Sequence, residues 1–185
     1  MAKRNITPVP ETAQGEFSIT RVFDAPRELV FKAWTEPERL AQWWGPQGFA
    51  VAVVKLDLRP GGVFHYRLRP PEGSPMGSAM IWGKFVYREI VSPERIVFVM
   101  AFSDEAGGMT RHPMNATWPL EVLNTLTFTE RQGRTTVTLR GEPINATEEE
   151  RRTFAAGRDS MRLGWTGTLD KLEEYLARGQ DTKGA

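Results

Sequence analysis

The chain has no cysteine, which excludes disulfides, thiol catalysis and thiolate metal sites. Histidine is nearly absent as well. His65 and His112 are the only two, too few for a histidine-rich metal centre, so neither metal nor cofactor is expected. No run of about 18 apolar residues occurs, so no membrane-spanning helix is expected. An excess of one charge is also missing: 24 Lys and Arg stand against 23 Asp and Glu, for a net charge of +1. Nucleic acid is therefore not expected as a partner, because phosphate binding normally leaves a basic patch or stripe. The first fifteen residues carry basic groups without an apolar stretch behind them, unlike a secretory signal. They read as a flexible leader, and the location expected is cytoplasmic. There is no G-x-S-x-G elbow, no glycine-rich phosphate loop and no ligand cluster. No catalytic residue is assigned.

What is present fits one α+β domain over residues 16–178, followed by a polar tail over 179–185. "EFSITRVF" alternates as a strand, with Phe17, Ile19, Arg21 and Phe23 on one face. Pro26 suits the first position of a short helix. Thr35 and Glu38 have capping-box spacing for a second short helix ending at Gly45-Pro46. From Phe49 to Gly141 the pattern predicts six further strands with short connections, hence an antiparallel sheet. The exception is a long irregular stretch, 103–119, carrying Met109, His112, Met114 and Trp118. Loops of that length are often functional or else mobile, and the apolar Met109, Met114 and Trp118 make a cover over a pocket mouth one of the readings. Thr147 and Glu150 form a second capping box, predicting one long helix over 147–178. Its apolar stripe runs Phe154, Met161, Trp165, Leu169, Leu172 and Leu176, with Arg158 in the same row. Gly157, Gly164 and Gly167 weaken it, which points to a bend or to a close approach by another group.

Aromatic bulk is concentrated. "WTEPERLAQWWGP" puts Trp34, Trp43 and Trp44 next to a helix stop. Tryptophan is large, and its N–H needs a partner when buried. The stretch reads either as a core corner or as a pocket wall.

Four motifs, "RVFDAPRELVFKAWTEPERLAQWWGP", "DLRPGGVF", "REIVSPERIVF" and "GWTGTLDKLEEYL", give the chain its resemblance. From about Phe17 to Ala177 it resembles the START-like (SRPBCC, helix-grip) superfamily that includes the birch-pollen allergen. Within that group it is similar to bacterial relatives of the C-terminal domain of the heat-shock-protein ATPase activator Aha. The resemblance implies a curved sheet of about seven strands gripping the long C-terminal helix, with two short helices after the first strand. It also implies a cavity between sheet and helix. Members of the superfamily bind lipids, steroids, polyketides and other apolar molecules, and some are cyclases or aromatases.

The function expected is binding of a small apolar or amphipathic molecule in that cavity. The aromatic and Met candidates for its wall are Trp43, Trp44, Phe64, Tyr66, Trp82, Phe98, Met100, Trp118, Met161 and Trp165. Asn124 is an inward polar group by alternation. Arg21 and Arg158 either let their charged ends escape to water or anchor a fatty or aromatic acid. His65, opposite Phe64 and Tyr66 in the alternation, is expected on the surface. A cyclase or dehydrase using Arg21, His65 or Asn124 to polarise a carbonyl is one alternative. A chaperone-associated interaction module or stress-response protein is another, although only one domain of the eukaryotic activator has a counterpart in this sequence. The outer sheet face leaves room for a homodimer.

Overall fold

A computed structural model describes residues 15–75 and 77–181. The chain runs β1 (Phe17–Phe23), α1 (Arg27–Thr35), α2 (Pro37–Trp43), β2 (Ala50–Leu56) and β3 (Val63–Arg69). It continues with β4 (Ile81–Val91), β5 (Arg95–Ser103), β6 (Met109–Thr110), β7 (Glu121–Arg131) and β8 (Arg134–Ile144). It closes with α3 (Glu148–Ala156) and α4 (Arg158–Asp181). The strands form one curved antiparallel sheet in the order β1-β8-β7-β5-β4-β3-β2, with the two-residue β6 added beside β5. Almost all of the leader and the end of the tail lie outside the described residues.

Alternation builds the sheet. Phe17, Ile19 and Phe23 of β1 are buried and share a face with Val137 and Leu139 of β8 and with Leu126 and Phe128 of β7. The same face continues through Ile96 and Phe98 of β5, Phe85 and Tyr87 of β4, and Phe64 and Tyr66 of β3. An apolar face this wide must be covered. α1, α2 and α4 cover it, and the contiguous core lies between them and the sheet. Phe31 of α1 packs edge-on against Phe128 at 5.3 Å.

The helix ends depart from expectation in three places. Pro26 is the N-cap of α1 rather than its first residue. Thr35 does not cap α2: it is the buried last residue of α1, and its hydroxyl donates to the Phe31 carbonyl at 2.9 Å. Glu36 takes the N-cap position, with Pro37 at the start of α2, where its missing N–H leaves no bond unmade.

The third departure is at the C-terminus, where the predicted single helix is two. The capping box is formed: the Thr147 hydroxyl accepts from the Glu150 N–H, and the Glu150 carboxylate accepts from the Thr147 N–H. The helical run is interrupted at Gly157, and α4 continues to Asp181. A Cβ at Gly157 would stand 2.9 Å from the Trp118 ring, closer than any side chain tolerates. Glycine there lets Trp118 lie against the α3–α4 junction.

Candidate functional site

The short helices and α4 leave part of the sheet's inner face uncovered by packed side chains. The result is a cavity of about 980 Å³ between β3, β4, β5, β7 and the first half of α4. Trp44, Tyr66 and Trp165 form one end of the wall, Met100 and Val122 the floor, and Trp118 and Met161 the other end. Met114, Ser160 and Gly164 are wall residues exposed to solvent, so the cavity opens between α4 and the segment that follows β6.

The three neighbouring tryptophans divide between core and wall. Trp43 and Trp44 are adjacent where α2 ends, so their side chains leave in different directions. Trp43 is fully buried, and its indole N–H donates to the Ala33 carbonyl at 3.0 Å. Trp34 packs edge-on against both, at 4.7 and 5.8 Å. Trp44 reaches the cavity and meets Tyr66, Phe85 and Trp165 edge-on at 5.2–5.7 Å. Lys171 of α4 holds the corner in place: its ammonium donates to the carbonyls of Trp44, Gly45 and Pro46 at 3.3–3.5 Å. A cation suits the carbonyl end of a helix, while partial burial lowers its pKa.

Tyr66 is a deeply buried polar group of the wall. It is 4% exposed, and burial pushes its phenol well above the ordinary value. Its hydroxyl lies over Gly83, 2.5 Å from where a Cβ would be. Only glycine at that position of β4 lets the ring lie flat on the strand. The Trp44 indole nitrogen sits beside the hydroxyl and tempers the rise. It stays outside hydrogen-bond geometry and is itself buried without a partner. Asn124, 3% exposed, also lines the cavity, with one amide N–H donated to the Val122 carbonyl at 2.9 Å.

Other expected wall residues lie elsewhere. Phe64 and Phe98 are fully buried and outside the wall. They pack on either side of Phe85, at 5.1 Å edge-on and 4.0 Å stacked. Trp82, by contrast, is part of the cavity lining. Its ring lies against His65 at 5.2 Å, tilted by 30°, with the Arg67 guanidinium 5.9 Å away, on the face opposite Tyr66 and Gly83. His65 is not a surface residue: it is 6% exposed, and its Nε2 pairs with the Asp104 carbonyl at 3.2 Å. The turn after β5 covers it there, which strand alternation alone does not reveal.

Neither arginine is a cavity anchor. The Arg21 guanidinium is occupied by Asp170 at 2.8 Å and Glu173 at 2.9 Å, both on α4. Arg158 is half-buried in the first turn of α4, outside the wall. No Asp, Glu, Lys or Arg lines the cavity among the described residues.

The segment over 103–119 is more ordered than expected, with β6 and a bridge between His112 and Asn115. Arg111 pairs with Glu150 and Thr117 bonds Thr153, tying the segment to α3. His112 Nδ1 accepts from the Met114 N–H at 3.0 Å, and its ring meets Phe102 edge-on at 4.6 Å. This strap supplies His112, Asn115 and Thr117 to the wall, polar residues that periodicity does not single out.

The Activator of Hsp90 ATPase homolog 1-like protein family model matches residues 24–177. The chain belongs to that family. Solved structures with the same fold include a Mycobacterium smegmatis protein, 24% identical over 92% of this chain and 96% of its own, TM-score 0.72. An Arthrobacter aurescens protein is 22% identical, covering 89% and 87%, with a TM-score of 0.73. A Silicibacter pomeroyi protein of the same family title is 20% identical, covering 89% and 99%, with a TM-score of 0.63. At these identities the likeness establishes the helix-grip fold. No curated protein sequence matches the chain. No helix among the described residues is long and apolar enough to cross a membrane.

Proposed function

We propose that this family member binds a small apolar or amphipathic molecule in the cavity between the sheet and α4. The observation that carries the reading is the cavity itself, about 980 Å³ and walled mainly by Trp, Phe, Met and aliphatic side chains. Small-molecule sites are concave, mostly apolar, and about 300–1,000 Å³ in volume. A sealed void of that size, at about 24 cal/mol per Å³, would cost about 20 kcal/mol. That exceeds the whole net stability of a domain, about 5–15 kcal/mol. A packing fault on this scale is therefore a poor explanation, and an open binding site is a good one. No nucleophile–base pair or metal-ligand cluster accompanies the cavity among the described residues, which favours binding over turnover.

The test is titration with the neutral fluorescent probe N-phenyl-1-naphthylamine. Gly164 lines the cavity, and a Cβ built on it meets nothing within 4 Å. The substitution Gly164→Phe therefore fills the site without disturbing the core. Saturable binding that this substitution weakens at least tenfold is the expected result. Unsaturable binding, or binding indifferent to Gly164→Phe, overturns the reading.

A further inference from the structure

Three features of the wall narrow the ligand's chemistry; this step rests on the binding reading above. The first is charge. Among the described residues the cavity wall has no Asp, Glu, Lys or Arg. Its histidine, His112, is kept neutral by burial and by a ring nitrogen that accepts from the Met114 N–H. An ionised group drawn into such a wall loses its water and gains no counter-charge, which is strongly unfavourable. The second is the state of Tyr66. Its side chain lines the cavity, and burial keeps its hydroxyl protonated. The third is how the hydroxyl is held. Gly83 lies beneath it and lets the ring rest against β4. The hydroxyl is thereby held at the wall, within reach of whatever enters the cavity.

We propose that the cavity selects uncharged ligands and that the Tyr66 hydroxyl fixes them by donating to a neutral acceptor oxygen, a carbonyl or an ether. Tyr66 is thus a specificity-determining residue. The rest of the ligand is apolar and flat enough to lie among Trp44, Trp165 and Met100, whose side chains offer mainly apolar area. The acids for which Arg21 and Arg158 were candidate anchors are the compounds this wall disfavours.

Three probes with the same ring system separate the possibilities by titration calorimetry at pH 7: naphthalene, 2-acetylnaphthalene and 2-naphthoate. The expected order is ketone first, hydrocarbon three- to tenfold weaker for want of one hydrogen bond, and carboxylate at least tenfold below the ketone. Tyr66→Phe removes one oxygen and should bring the ketone down to the hydrocarbon's affinity. The hydrocarbon's own affinity should hold, which also shows that the variant is folded. Naphthoate binding as tightly as the ketone overturns the proposal. So does a ketone advantage that survives Tyr66→Phe. In both cases the hydrocarbon still binds and the cavity reading stands. Failure of all three probes to bind overturns both.

Discussion

The two halves of α4 face the same sheet and end differently. From Leu169 onward the helix is solid with its surroundings: Leu169, Leu172 and Leu176 are all 3% exposed or less. Before Thr168 the same stripe carries Met161 and Trp165, only partly buried, with Gly157 and Gly164 alongside. This half of the molecule is where α4 belongs to the contiguous core, and α4 packs against α2 and β1. The earlier residues stand back from the sheet and leave the cavity. Periodicity does not separate the halves, since both obey the 3-4 spacing. Side-chain choice does: branched residues fill one half, while flexible Met, flat Trp and glycine wall the other.

Stability measurements on the two halves should therefore diverge. Leu172→Ala creates a void in a fully buried site, and the expected loss is about 2–5 kcal/mol. Met161→Ala enlarges a space that already exists, so the loss should stay at about 1 kcal/mol or below. Chemical denaturation of both variants checks the contrast; equal losses would mean that the cavity half is packed in solution. Lys171→Met should fall between them. The carbonyls of Trp44, Gly45 and Pro46 lose their cation while the aliphatic stem is kept, and the desolvation that lowers the lysine pKa is relieved. A net loss of about 1 kcal/mol is expected, with a change in tryptophan emission as the corner loosens.

What the sequence disclosed follows the same division. The seven longer strands were legible because a sheet with one apolar face tends to alternate, whereas β6, two residues inside the stretch read as irregular, is too short to carry a pattern. The capping box at Thr147 and Glu150 was legible because it is local in sequence. Arg21 was visible on the inner face, but its partners Asp170 and Glu173 lie about 150 positions away, so its role as a tie between β1 and α4 was not. Gly157 lies against Trp118, nearly 40 residues earlier, a contact no local pattern shows. The alternation of β4 puts Trp82 with Lys84 and Val86, opposite Phe85, yet its size argues for the core. His65 and the Arg67 side chain give it a partly covered seat on the other face. Trp43 and Trp44 read alike until the end of α2 is placed to within one residue.

A smaller effect tests the open half directly. Gly164 is in a helix interior with free space beyond its Cα, so Gly164→Ala should stabilise α4 by about 0.5–1 kcal/mol. The same change at Gly167 would meet the Gln47 side chain at 3.3 Å. A destabilised Gly164→Ala variant would show that the cavity is narrower than its 980 Å³.

The smallest expected effect is on the strap, and its sign comes from two titrations. The His112 pKa is lowered by burial, so the folded state prefers the neutral ring. The corresponding stability is complete above the unfolded value of about 6.5 and declines as pH falls towards the folded one. Protonation also turns Nδ1 into a donor, which opposes the Met114 N–H. The Glu150 pKa is lowered first by the Thr147 N–H and then by Arg111. Its contribution is complete above about pH 4.5 and is lost as pH falls through the folded value. The strap should therefore loosen in two stages, His112 first and Glu150 afterwards, while the packed half of α4 stays unchanged. The indole cross-peak of Trp118, which lies against Phe154 at 5.5 Å, reports this in NMR spectra recorded from pH 8 to pH 3. Two inflections are expected, the upper removed by His112→Asn and the lower by Glu150→Gln. A single inflection surviving both substitutions would place the pH sensitivity outside the strap.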